Sequence, residues 1–176
     1  RVTFASPDTQ IDLGAVAKGY IADQLAEQMR SQGVTSAILN LGGNILCIGA
    51  KSSSETFTVG IQDPFDASNG TYRKLSVHDL SVVTSGIYER CFTKNGITYH
   101  HLLNPATGYP YDNRLASVTI LNPSSAKADV LSTTCFALGL EQGLDLINSI
   151  PDCEAIFIAT DGTISYSDGA ESYLAK

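Results

Sequence analysis

Residues 35–41 and 45–50 form two short apolar runs separated by Gly42-Gly43-Asn44, and this arrangement constrains the fold more than any other. Two glycines between alternating runs supply the positive φ angles of a tight hairpin, which commits the chain to antiparallel pairing. The pattern recurs. Residues 57–62 alternate as a strand does, Asp63-Pro64 and Ala67-Ser68-Asn69-Gly70 mark turns, and a further run covers residues 73–83. A third hairpin has Asn95-Gly96 at its tip with residues 97–103 leaving it, while the turn-rich segment from Asn104 to Pro110 is expected to be an ordered loop.

Helical spacing interrupts these runs in three places. Val16, Tyr20, Ile21, Leu25 and Met29 fall on one stripe, predicted to face the core, with Asp12 placed as a cap and Gly33 as the stop. A second helix is predicted over residues 126–140, entered through Asn122-Pro123-Ser124, with Leu131, Cys135 and Leu138 on its apolar face. A shorter one follows over residues 141–149. Strands are predicted at 117–121, 155–159 and 163–166, with Asp161-Gly162 turning between the last two. Hairpins with two to three helices imply an α+β layered arrangement of mainly antiparallel strands and not a regular βαβ alternation. No G-x-G-x-x-G or G-x-x-x-x-G-K-[ST] segment is present, which removes the common nucleotide-binding fingerprints.

The 176 residues suffice for one domain, expected to span 1–176. A net charge of −7 argues against nucleic acid or anionic lipid as a partner, since both need clustered Lys and Arg. Cys47, Cys91, Cys135 and Cys153 show no metal-binding spacing with one another or with His78, His100 and His101. Cys47 and Cys135 sit in apolar runs and are expected to be buried thiols. No apolar run is long enough to span a membrane. The only methionine is Met29, so the chain is expected to be a processed, trimmed or excised piece, with any export signal upstream.

Several constellations could carry chemistry. Asp129 and Thr133 lie one helical turn apart, so a carboxylate and a hydroxyl project together, a donor pair suited to Mg²⁺. The alternative is that Asp129 merely complements the positive end of its helix. Lys18 and Gly19 sit in the first turns of the first helix, where amide N–H groups and an ammonium would attract an anion. Against this, Asp12 could be a simple cap and Lys18 a solvated residue. Gly42 and Gly43 could bring backbone close to a ligand or serve only the turn. Thr84-Ser85-Gly86, followed by Tyr88-Glu89-Arg90, could line a pocket, but it is not a nucleophile elbow. His100 and His101 are adjacent on a strand and must point to opposite sides.

Five segments, in order, resemble one family: residues 12–20 (DLGAVAKGY), 40–44 (NLGGN), 84–86 (TSG), 99–110 (YHHLLNPATGYP) and 128–133 (ADVLST). Together they resemble the signature segments of the FAD:protein FMN transferases, the ApbE family, over residues 11 to 162. The resemblance implies an α+β fold related to the T-fold and an Mg²⁺-dependent enzyme that moves the FMN portion of FAD to a Thr or Ser hydroxyl of an acceptor flavoprotein, releasing AMP. A related activity it also implies is hydrolysis of FAD to FMN and AMP; the competing reading, of a different class, is a non-catalytic flavin or nucleotide module. It implies an extracytoplasmic location, with any lipid anchor or membrane tether in a segment upstream. Full members run to roughly twice this length, so the chain is expected to be the C-terminal part of a flavin transferase domain.

Carried over residue by residue, the resemblance makes Asp129 and Thr133 metal ligands through side chains and Ala15 a ligand through its carbonyl. It makes Asp12, Lys18, Thr84, Ser85, Gly86, His101 and Leu103 contacts for FAD. His101 is implied as the base that deprotonates the incoming hydroxyl, an imidazole being able to accept a proton near neutrality, with Asp12 as the alternative. Charge neutralisation at the pyrophosphate falls to Mg²⁺ on Asp129 and Thr133, helped by Lys18.

Overall fold

The computed structural model describes residues 2–51, 55–66, 68 and 70–175, with no description of the Ile97 side chain. Among these the elements are α1 (Ala17–Ser31), β1 (Ala37–Leu41), β2 (Asn44–Ile48), β3 (Phe57–Gln62), β4 (Thr71–Val77), β5 (Ser81–Gly86), β6 (Cys91–Lys94), β7 (Ile97–His100), β8 (Leu115–Asn122), α2 (Ser125–Leu138), α3 (Leu140–Asn148), β9 (Glu154–Ala159) and β10 (Ile164–Tyr166). A 3-10 turn, Ala170–Tyr173, closes the described chain. The class is the α+β arrangement expected.

One six-stranded sheet, ordered β1-β2-β5-β8-β9-β10, is antiparallel at every pairing. Alternation divides its side chains between two cores. Val83, Val118, Ile120, Ala155 and Phe157 pack with Ala128, Cys135 and Phe136 of α2 and Ile147 of α3. On the other face Val82, Leu121, Ile156 and Ile158 meet Phe57, Val59, Ile61, Leu75 and Val77 of the β3–β4 hairpin. The result is three layers: hairpin, sheet, helices. α1 covers β1 and β2 through Ala22 and Ala26 against Leu46 and Ile48.

The hairpin signals are met at the β1–β2 turn, where Gly42 and Gly43 have φ of 60° and 88°, and at the β6–β7 tip, where Asn95 and Gly96 have φ of 53° and 76°. Asn44 belongs to β2 and not to the turn. The run over 73–83 is two strands, broken at Asp79 with φ of 42°. The turn expected at Ala67 to Gly70 rests in part on Ala67 and Asn69, which lie outside the described residues.

Both predicted helix faces need correction. On α1 the buried residues are Gly19, Ala22 and Ala26, while Tyr20, Ile21 and Leu25 are 58%, 49% and 38% exposed. At Gly19 α1 lies so close to α2 that a Cβ would strike Ser125 and Ala126, and Ala22 and Ala26 pack on Leu46 and Ile48 of β2, so size overrides hydropathy on this face. On α2, Cys135 is buried as expected, but Leu138 is exposed and the inward positions are taken by Ala128, Asp129, Ser132 and Phe136. Asp12 does not cap α1. The N-cap position is Val16, which offers no side-chain bond, and Asp12 instead accepts the Gly14 N–H at 2.6 Å, an Asx turn ahead of the helix. Gly33, with φ of 86°, does terminate α1. All four cysteines are free, with Cys47, Cys135 and Cys153 buried and Cys91 exposed. Among the described residues no helix is long and apolar enough to cross a membrane.

Candidate functional site

A cleft of about 800 Å³ opens at the end of the six-stranded sheet, where the β1–β2 turn, the exit of β5 and the starts of α1 and α2 converge. Thr84 and Ser85 are consecutive on β5 and therefore face opposite ways, yet both line it, so the cleft wraps round the end of the sheet. Every residue assigned a role by resemblance reaches it: Asp12, Ala15, Lys18, Thr84, Ser85, Gly86, His101, Leu103, Asp129 and Thr133. Gly42 and Gly43 make the turn, as expected, and also line the cleft.

The acidic end is built by two helices. Asp129 is 5% exposed, and its Oδ2 accepts the Gly19 N–H at 2.8 Å. With Val16 as the N-cap, this N–H is one of the first-turn donors that α1 itself cannot satisfy, and the Asp129 carboxylate satisfies it. Asp129 thus complements the start of a helix, but of α1 and not of its own. The Gly19 amide, expected to be open to an anion, is used by this bond. Glycine is required there: a Cβ would lie 2.6 Å from the Ser125 carbonyl carbon and 2.8 Å from Ala126 Cα.

Beside Asp129, the Ser85 hydroxyl bonds Ser132 Oγ at 2.8 Å and Thr133 Oγ1 at 3.2 Å, and Ser132 Oγ donates to the Asp129 carbonyl at 2.9 Å. Thr84 is tied to Thr119 Oγ1 at 2.9 Å on β8. Among the described residues no three His, Cys, Asp or Glu side chains gather as a metal cluster. Three residues that can offer hard oxygens line the same cleft: Asp129 through its second carboxylate oxygen, Thr133 through Oγ1 and Ala15 through its carbonyl. That set fits Mg²⁺, which takes few protein ligands and keeps room for water and phosphate.

The opposite wall comes from the β6–β7 hairpin. Its ladder continues past Cys91 and His100, with the His101 N–H donating to the Arg90 carbonyl at 3.1 Å, so that Arg90 and His101 sit paired at the cleft. The Asn104 to Pro110 segment is the ordered loop expected. Asn104 N–H donates to the Tyr109 carbonyl at 2.8 Å and Tyr111 N–H to the Leu102 carbonyl at 3.0 Å, which holds Leu103 at the rim.

The two adjacent histidines part as predicted. His100 is 8% exposed; its Nε2 donates to the Tyr111 carbonyl at 3.1 Å and its ring meets Phe136 edge-on at 5.9 Å. Burial holds its pKa below the ordinary imidazole value, opposed by the Tyr111 bond. Tyr88 also lines the cleft, and burial with the neighbouring Glu89 charge pushes its pKa up to about 12. It is a neutral hydroxyl at physiological pH. Its ring packs where a Cβ on Gly86 would stand, 2.5 Å from Cε1.

Sequence reasoning missed Gly60, Gln62, Tyr111 and Phe136, which also line the cleft. For two of these a signal existed. Gly60 lies inside an alternating strand, where glycine often marks close approach of a ligand, and Gln62 shares its face. Tyr111 and Phe136 carry no local mark.

Fold and site together define an α+β domain whose cleft offers hard oxygen donors at one end and Lys18, Arg90 and His101 around it, suited to a divalent cation with an anionic ligand. The chain belongs to the ApbE family, whose model matches residues 1–157. It is 39% identical over 176 residues to a Treponema pallidum protein named FAD:protein FMN transferase, covering 96% of this chain and 49% of that one. A Klebsiella pneumoniae protein of the same name is 40% identical over 166 residues, covering 94% and 51%. Among solved structures, the Thermotoga maritima ApbE protein superposes with a TM-score of 0.85 at 29% identity, covering 95% of this chain and 54% of that one. The flavin transferase ApbE from Vibrio cholerae gives 0.81 at 28% identity, covering 96% and 54%. The chain spans about half the length of the curated relatives it matches.

Proposed function

We propose that this chain carries the metal and phosphate end of an Mg²⁺-dependent flavin transferase, which moves the FMN moiety of FAD onto a Thr or Ser hydroxyl of an acceptor flavoprotein with release of AMP. The observation that carries the reading is the convergence of five separated sequence segments on one cleft, with an oxygen donor set at one end. The names of the relatives support FAD as the substrate and a protein as the acceptor.

In this reading the hydroxyl oxygen attacks the FMN phosphorus, the P–O bond to the AMP phosphate breaks, and the hydroxyl proton passes to His101. Asp129, Thr133 and the Ala15 carbonyl would hold Mg²⁺, which supplies charge neutralisation at the pyrophosphate when bound. Lys18 adds a cation to the same end, with Asp12, Thr84, Ser85, Gly86 and Leu103 lining the space for FAD. His101 sits across the cleft on a separate hairpin, so the proton acceptor and the metal ligands approach a bound phosphate from different walls. Because transfer needs little covalent chemistry from the protein, positioning and charge carry the rate.

The test is incubation of the full chain with FAD, Mg²⁺ and an acceptor flavoprotein domain. A covalently fluorescent acceptor band with one AMP released per label supports the reading. AMP without label makes the protein an FAD pyrophosphatase, and FAD binding without AMP makes it a carrier. His101→Ala is expected to lower transfer by about 10²- to 10⁴-fold, the range of a positioned general base, with FAD affinity retained. Equal loss of both would make His101 a binding residue only.

A further inference from the structure

Gly19 and Asp23 are four residues apart on α1, and Ser125 and Asp129 are four apart on α2, so each pair shares one helix face. The two faces meet and exchange hydrogen bonds in both directions. Asp129 Oδ2 accepts from Gly19 N–H at 2.8 Å, as described. In return Asp23 Oδ1 accepts from Ser125 N–H at 2.7 Å, and Asp23 Oδ2 accepts from Ala126 N–H at 3.0 Å and from Ser124 Oγ at 2.9 Å. Neither helix has an acidic residue in its own first turn. Each receives its carboxylate from the other.

We propose that Asp23 is a positioning residue for the metal-binding carboxylate of Asp129; the inference rests on the Mg²⁺ reading of the site. Asp23 grips three donors at the start of α2 and so fixes where that helix begins along α1. Asp129, one turn further on, is thereby placed level with Gly19. Because Oδ2 accepts the Gly19 N–H, the other carboxylate oxygen is the one left to face a cation. Loosening the Asp23 grip lets α2 shift and Oδ2 leave Gly19, which turns the Asp129 carboxylate away from its place. The donor is disturbed although Asp23 is not among the residues that line the cleft.

The experiment titrates Mn²⁺, an EPR-visible substitute for Mg²⁺, into the full chain and its variants, with Mg²⁺ as competitor. Asp23→Asn keeps the shape but removes the charge and one acceptor, and is expected to weaken Mn²⁺ binding by about 10- to 100-fold, as loss of an outer partner of a metal ligand does. Combined with Asp129→Ala it should weaken binding no further than Asp129→Ala alone, because it acts through that residue. Ala26→Gly, which loosens the packing of α1 on β2 without touching the exchange, should leave Mn²⁺ affinity unchanged. Should Asp23→Asn not fold, Asp23→Glu keeps the charge and displaces the carboxylate by one methylene, with the same loss expected. Parental Mn²⁺ affinity in the Asp23 variants, or additive loss in the double variant, overturns the proposal. Parental affinity in Asp129→Ala overturns the metal reading itself, and is a separate result.

Discussion

Gly19→Ala pits two physical effects of opposite sign against each other. In an exposed helix the change stabilises by about 1 kcal/mol, because alanine loses less backbone entropy on folding. Here the new Cβ would stand 2.6 Å from the Ser125 carbonyl carbon and 2.8 Å from Ala126 Cα. Carbon atoms sit comfortably at about 3.5 Å or more, so α1 and α2 must part by roughly 1 Å. The obstacle is helix backbone, which cannot rotate aside. Overpacking of this kind costs about 1–3 kcal/mol, and the opening stretches the Gly19 bond to the Asp129 carboxylate, a charge-assisted bond worth about 1.5–3 kcal/mol. The balance is a loss of about 2–5 kcal/mol, a fall in Tm of roughly 5–15 °C for a domain of this size. Thermal unfolding followed by circular dichroism measures it directly. A variant that melts at or above the parent temperature would refute the close helix contact and the exchange built on it.

Two further predictions follow from burial. Burial pushes the Cys47 thiol up to about 11 and the Cys135 thiol up to about 12, and raises that of Cys153, whereas Cys91 is exposed; an aromatic disulfide reagent should label one thiol rapidly in the native protein and four in denaturant, and rapid native labelling of two or more would contradict the packing. His100 has a depressed folded pKa, so the unfolded chain takes up its proton first as pH falls through about 6.5. Its contribution to stability is therefore complete above that pH and declines below it. Between pH 7 and 5 the parent should lose more Tm than His100→Gln, which keeps a donor for the Tyr111 carbonyl; parallel pH curves would show that His100 takes up its proton alike in the folded and unfolded states and would contradict the depressed pKa.

The sheet was legible because turn chemistry is local: Gly42-Gly43 and Asn95-Gly96 each adopt the positive φ angles their sequence offers. Helix faces were not. The stripe of Val16, Tyr20, Ile21, Leu25 and Met29 has the right period and Met29 packs on the core, yet α1 turns Gly19 toward α2 and Ala22 and Ala26 toward β2, because close approach selects side-chain size, which periodicity of hydropathy does not report. The cleft shows the same division. Asp129, Thr133 and His101 could be singled out by chemistry and motif, whereas Tyr111 and Phe136 reach the cleft only because a loop and a helix bring them there. Asp12 looked like a cap by its place before a helix; the real complement to that helix lies 110 positions from Gly19 and has no local trace.

That separation bears on how the domain is made. The Gly19–Asp129 and Asp23–Ser125 bonds span 110 and 102 positions, so the first turn of α1 waits for a carboxylate that emerges from the ribosome long after it. Closing so long a loop carries an entropic cost that only the intervening sheet can offset, and a chain dominated by such distant pairings folds slowly compared with a helical bundle. The end of the cleft that holds Asp129 and Thr133 is then a late product of folding, absent from any nascent chain that stops short of α2.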